Sequence, residues 1–238
     1  MIDNRQDRQV IWPKATPTLS AEQSAIREDF MGHWLQILPK RYGLIELINH
    51  RFAVPRCASV GCKTLEVGAG RGAHLGYENL SAQEYTALEL RPELANEISK
   101  AYPSVRVMVG DIQQRIDAAD ASFDRILAIH VLEHLPNLPA ALTEIRRLLR
   151  PKGMFGAVLP CEGGAAYTLA RNISARRIFE KRYGCSYDWF VRSEHVNNVW
   201  EILGCLEEYF PKPKVTYWPL RVASIQANLV LGVECRFQ

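Results

Sequence analysis

Much that would assign this chain quickly is missing from it. Its six cysteines, Cys57, Cys62, Cys161, Cys185, Cys205 and Cys235, include no Cys-x-x-Cys pair. Cys57 and Cys62 lie near each other, but no second pair or histidine cluster follows to complete a zinc site. Most of the cysteines are therefore expected to be small buried hydrophobes in a reducing compartment, and no metal site is expected. The opening MIDNRQDRQV has no apolar segment, and no run of about 18 apolar residues occurs anywhere, so a soluble cytoplasmic protein with no membrane partner is expected. Neither sign of charge dominates: 29 Lys and Arg against 26 Asp and Glu give a net +3, short of the basic stripe that marks a nucleic-acid binder. There is no internal repeat and no low-complexity tract.

What is present suits one domain. The chain has 238 residues, 47% of them hydrophobic, enough for one sizeable core. Residues 1–19 read as a loose polar arm. Ser20 with Gln23 forms a capping box for a helix through AIREDFMGHWLQIL, which Pro39 is expected to end, and LIELINHRF adds a second helical stretch.

From Lys63 strands and helices alternate. KTLEV, EYTALEL, VRVMV, FDRILAI and MFGAVLP read as strands. GAHLGYENL, PELANEISKAY (opened by Pro92) and LPAALTEIRRLLR (capped by Asn137) read as helices, the last with Leu142, Ile145 and Leu149 on one face. Five strands with crossovers imply a parallel sheet covered on both faces. Residues 161–210 break the rhythm with an aromatic-rich helical region. KVTYWPL and NLVLGVECRF then return as an antiparallel pair at one edge.

Ligands of such sheets lie at the carboxyl ends of the strands. The first strand runs into 64-TLEVGAGRGAHL-75, which admits two readings. Gly68-x-Gly70-x-x-Ala73, with Glu89 at the end of the second strand for ribose hydroxyls, fits a dinucleotide site and an NAD-linked oxidoreductase. Glu66-x-Gly68-x-Gly70-x-Gly72 fits a different ligand. A carboxylate at Glu66 would repel a pyrophosphate and suit an ammonium or sulfonium. Asp111, ending the third strand, could accept from an adenine amino group with Ile112 against the ring. No Tyr-x-x-x-Lys pair supports the oxidoreductase, since Tyr183 is followed four residues later by Tyr187.

Taken in order, Glu66–Gly72, Glu89, Gly110-Asp111, Phe123-Asp124 with His130–Leu135, and Leu148–Gly153 resemble the class I S-adenosylmethionine-dependent methyltransferases. The likeness is greatest to their small-molecule branch (methyltransferase type 11), which includes quinone and sugar methyltransferases, and covers roughly residues 60–160. The resemblance implies a Rossmann-like doubly wound α/β fold with seven strands in the order 3-2-1-4-5-7-6, strand 7 antiparallel. It divides the single domain into an N-terminal arm and helical lid (1–55), a cofactor-binding core (60–160), a helical substrate region (161–210) and a closing strand pair (211–238). It implies that Glu66 helps hold the methionine amino group and that Gly68, Ala69, Gly70 and Gly72 lie along the methionine part. Glu89 would hold the ribose hydroxyls, Leu90 beside it would also contact the cofactor, Asp111 and Ile112 would frame adenine, and the backbone of His130 would pass near the methionine moiety. A non-catalytic cofactor-binding relative would keep the same residues.

Methyl transfer from a sulfonium is an in-line displacement, helped for a hydroxyl acceptor by a base. The catalytic candidates are His130, Glu133, His134 and His195, with His134 also suited simply to ordering its loop. The acceptor is expected to be a small molecule such as a saccharide or secondary metabolite. Between residues 161 and 192, Arg171, Arg176, Arg177, Lys181, Arg182 and Arg192 face only Glu162, Glu180 and Asp188, which suits an anionic acceptor or, equally, a solvated helix face. Tyr167, Tyr183, Tyr187, Trp189 and Phe190 could stack on a substrate ring but more simply pack with one another. Gly163-Gly164 would let the backbone turn close to the acceptor. A DNA-amine substrate is disfavoured by the lack of an Asn/Asp-Pro-Pro-Tyr signature.

Overall fold

The computed structural model describes residues 10–56 and 59–236. The expectations for residues 1–9, for Cys57 and for the last two residues lie outside the described residues. Seven strands form one sheet: β1 Cys62–Val67, β2 Gln83–Glu89, β3 Arg106–Val109, β4 Phe123–Ile129, β5 Leu149–Pro160, β6 Lys214–Trp218 and β7 Val230–Arg236. Their order is β3-β2-β1-β4-β5-β7-β6. β7 runs antiparallel to both β5 and β6, and the other pairings are parallel, as the resemblance implied.

Helices α1 (Ala21–Arg41) and α2 (Gly43–Leu47) precede the sheet, and a π-turn over Ile48–Phe52 follows them. The Ser20–Gln23 capping box is formed in both directions, at 3.0 and 3.1 Å. Pro39 does not end α1. A proline in the last turn forgoes one backbone donor, and the helix continues to Arg41.

The crossover from β1 to β2 departs further from expectation. GAHLGYENL forms two short 3₁₀ turns, Ala73–Tyr77 and Leu80–Ala82, not an α-helix. Gly76 and Asn79 interrupt it with residues of low helical preference. The N-terminal segment covers that face of the sheet instead: Ile48, Ala53 and Val54 pack on Leu127, Val158 and Val230. Nearby, α3 (Pro92–Ala101) sets Ile98 against Tyr85 and Ala87. On the opposite face, α4 (Leu138–Leu148) and α8 (Val199–Tyr209) bury Leu142, Ile145, Ile202 and Leu206 against Ile126, Phe155 and Leu231. Leu149, expected on α4, opens β5.

Three further helices, α5 (Ala165–Ile173), α6 (Ala175–Tyr183) and α7 (Asp188–Glu194), build the insertion after β5. Its aromatics pack as a cluster around Phe30 of α1. Phe179 and Phe190 meet the Phe30 ring edge-on at centroid distances of 5.0 and 5.1 Å, and Tyr183, Tyr187 and Trp189 complete it. Tyr167 packs against the main core. Several of the cations are paired within the protein: Arg171 with Glu162, Arg176 with Glu180 and Asp188, and Arg182 with Asp29.

Cys62 is disulfide-bonded, a departure from the expected thiols. Cys161, Cys185, Cys205 and Cys235 are free, and burial pushes Cys161 and Cys235 up to about 12. Among the described residues, no helix is long and apolar enough to cross a membrane.

Candidate active site

The carboxyl ends of β1, β2 and β3 form one edge. Gly68, Gly70 and Gly72 have φ of +65°, +58° and +78°, left-handed values that favour glycine. At Gly68 an added Cβ would stand 2.7 Å from Val131 Cγ2, and at Gly72 it would press on Leu75 and Tyr102. At Gly70 it would meet open space. The loop is thus locked by protein at its two ends and bare in the middle. Its amides tie back to β2: those of Gly68 and Ala69 donate to the Leu88 carbonyl at 2.8 and 3.2 Å.

Glu89 is buried, and its carboxylate accepts from the Gly70 amide at 2.8 Å and from the Arg91 amide at 3.1 Å. Leu90 beside it is 62% exposed, an apolar side chain standing free at the lip of the edge. Asp111 accepts from the Gln113 amide at 2.9 Å, and Ile112 lies in the core beneath.

Glu66 is 3% exposed and accepts from the Tyr85 hydroxyl at 2.9 Å. Burial pushes its carboxyl up to about 8, and the Tyr85 hydrogen bond offsets only part of this. Behind it on the same face lies a charged network. Arg125, fully buried, donates to Glu78 at 2.7 Å, to the Pro55 carbonyl at 3.0 Å and to Thr64 at 3.2 Å. Burial would raise Glu78, but hydrogen bonds from His74 and Arg125 bring it down to about 2.

The catalytic candidates converge where β4 ends. His130 has φ +53°, a left-handed conformation costly for a residue with a Cβ, held by its amide donating to the Val158 carbonyl at 2.9 Å. Its Nδ1 lies 3.2 Å from Glu133 Oε1, and its Nε2 is buried with no hydrogen-bond partner among the described residues. Glu133 is 1% exposed. Burial would raise it, yet the His130 hydrogen bond and the charges of His134 and His195 hold it at about 2.

His195, sixty-one positions after His134 in sequence, reaches the same place from the end of α7. The two rings stand edge to face with centroids 5.0 Å apart. His134 Nδ1 bonds the Glu194 carbonyl at 2.7 Å, and His195 Nδ1 bonds the Glu162 carboxylate. Burial lowers His134. The same burial acts on His195, but the Glu162 carboxylate outweighs it and raises the group.

Four contributors were not singled out for this site by sequence reasoning. Glu162 links His195 to Arg171, and Glu194 pairs with Arg27 of α1. Asn197 donates to the carbonyls of Leu132 and Leu135 at 2.8 and 2.7 Å and so pins the insertion to the loop after β4. Tyr85 holds Glu66. Only Glu162 carried a signal, as an acid two residues beyond a strand's carboxyl end. Gly163 and Gly164 approach protein closely: an added Cβ would strike Trp200 at the first and the Ile225 carbonyl at the second.

Residues 65–157 match the family model described as a methyltransferase domain. A "probable phthiotriol/phenolphthiotriol dimycocerosates methyltransferase 2" of Mycobacterium ulcerans is 32% identical over 120 residues, 48% of this chain and 46% of that protein. A malonyl-[acyl-carrier protein] O-methyltransferase of Pectobacterium atrosepticum is 27% identical over 106 residues, 44% of this chain and 42% of that protein. The chain thus spans less than half the length of these curated relatives. The fold is shared with the Burkholderia thailandensis 1,6-didemethyltoxoflavin-N1-methyltransferase solved with S-adenosylhomocysteine (TM-score 0.56, 20% identity, 94% of each chain covered). It is shared also with a TehB-like methyltransferase of Corynebacterium glutamicum (TM-score 0.59, 19% identity, 90% of this chain and 100% of that chain). Residues 65–157 thus match a methyltransferase domain, and they lie in a fold shared with solved S-adenosylmethionine-dependent methyltransferases.

Proposed function

We propose that this protein moves a methyl group from S-adenosylmethionine to a small-molecule acceptor seated between the loop after β4 and the helical insertion. The observation that carries this is the edge made by β1 and β2. A glycine turn is bare at Gly70, a buried Glu89 carboxylate sits directly beneath it, and Leu90 stands exposed beside both.

In this reading Glu89 accepts the ribose hydroxyls, Leu90 and Ile112 flank the adenine, and Asp111 accepts from its amino group. The backbone from Gly68 to Gly72 follows the methionine part. Glu66, with its carboxyl held near 8 in the ligand-free protein, is largely protonated at neutral pH. An ammonium placed nearby would draw that proton off and restore the negative charge. The cofactor supplies an electrophilic methyl on sulfur. The protein's own residues align the acceptor, exclude water and take its proton.

His130 is the best-placed base. Its Nδ1 donates to Glu133 Oε1, which leaves the lone pair on the unpartnered Nε2, and its strained backbone stands at the end of β4. An acceptor of anionic character is supported less strongly, because Arg171, Arg176 and Arg182 are paired within the protein. The test is thermal unfolding with S-adenosylhomocysteine and with NAD, followed by methyl transfer to a panel of hydroxyl and amine acceptors. Stabilisation by NAD alone would replace this reading with the oxidoreductase.

A further inference from the structure

Glu133, His134 and His195 each present a ligand atom, all within 4.8 Å of one another. The hydrogen bonds around them decide which atoms are free. A carbonyl can only accept, so His134 Nδ1 donates to the Glu194 carbonyl, and the lone pair of the neutral ring falls on Nε2. His195 Nδ1 likewise donates to the Glu162 carboxylate, which leaves its Nε2 lone pair free. Glu133 Oε1 accepts from His130, while its Oε2 is buried with no hydrogen-bond partner among the described residues. A buried carboxylate oxygen without a donor is costly and calls for a cation.

The charges agree. Glu194 is countered by Arg27 and Glu162 by Arg171, whereas Glu133 lies among the imidazoles of His130, His134 and His195. Two imidazoles whose outer nitrogens are fixed by a carbonyl and a carboxylate, together with one bare carboxylate oxygen, match the donor set and outer support of a transition-metal site.

We propose that Glu133 Oε2, His134 Nε2 and His195 Nε2 bind a divalent first-row transition ion of the zinc or cobalt type. Three protein ligands leave a coordination position open. An oxygen of the acceptor would fill it, and the ion would make that hydroxyl acidic while His130 takes the proton. The cofactor edge formed by the glycine turn and Glu89 uses none of these three residues.

The experiment titrates the full chain, stripped with a chelator and free of any affinity tag, with cobalt(II) and no S-adenosylmethionine. The expected result is one cobalt per chain with intense visible ligand-field bands, matched by His33→Ala, a histidine of α1 outside the cluster, and lost in His195→Ala and His134→Ala. Glu162→Gln, which keeps all three ligands, should weaken cobalt binding by about 10–100-fold. Should the histidine variants fail to fold, X-ray absorption on zinc-loaded wild type reads the imidazoles directly. Two of them support the site, and fewer overturn it. Absence of bands in the wild type, or bands unchanged in His195→Ala, also overturns it. Because no cofactor is present, either failure leaves the methyl-transfer reading intact.

Discussion

The Glu89 carboxylate accepts the Gly70 amide at 2.8 Å, tying the end of β2 to the bare middle of the glycine turn that follows β1. Ribose hydroxyls bound to that carboxylate would therefore report directly to the loop. S-adenosylhomocysteine at about 100 times its Kd should stabilise the wild type by about 2.7 kcal/mol, a rise in Tm of roughly 5–10 °C. Glu89→Ala should lose most of that rise, and differential scanning fluorimetry measures it. A full shift in the variant would remove Glu89 from the cofactor site.

The same turn separates stability from binding at two neighbouring glycines. Gly68→Ala meets both a left-handed φ and Val131, and should cost about 2 kcal/mol or more in urea unfolding. Gly70→Ala meets only the backbone penalty, about 1 kcal/mol, and should keep the fold while weakening cofactor binding. Equal effects of the two on both measurements would contradict this division.

Buried Glu66 and half-buried Glu78 give stability opposite dependences on pH. Glu66 is raised from 4.5 to about 8, so its contribution is complete below about pH 4.5 and is lost as pH rises toward 8. Glu78 is lowered to about 2, so its contribution is complete above about pH 4.5 and is lost as pH falls toward 2. Glu66→Gln should flatten the decline in unfolding free energy between pH 5 and 8 and leave the acid limb unchanged. Glu78→Gln should do the reverse. Chemical denaturation across the pH series reads both.

Phe30 joins α1 to the insertion. It is 1% exposed and touches the rings of Phe179, Tyr183, Tyr187 and Phe190. Phe30→Ala should cost about 3–5 kcal/mol if the domain unfolds as one unit. A much smaller loss, with early proteolysis within α1, would show that this helix opens independently.

The sheet was legible because a period-two run such as KTLEV, closed by glycine, has few alternatives, and its order followed from the resemblance. GAHLGYENL misled because its apolar spacing suggested a helix while Gly76 and Asn79 weakened one, and packing by the N-terminal segment removed the need for it. Pro39 misled because a proline near a helix end costs little. The glycines and Glu89 could be placed by spacing from strand ends. The partnership of His134 with His195 could not, since they stand sixty-one positions and four helices apart, and tertiary contacts bring them together: Asn197 docks on the loop after β4 and His134 bonds the Glu194 carbonyl.

The strand order carries a consequence for how the molecule is made. β7, synthesised after β6, lies between it and β5. A nascent chain therefore leaves the emerging β5 edge unpaired until Val230–Arg236 has been translated, and β6 has no partner to zip against before then. Completion of the sheet waits on a strand made after both of its neighbours, and a ribosome paused before Val230 would hold a molecule with an open, adhesive edge.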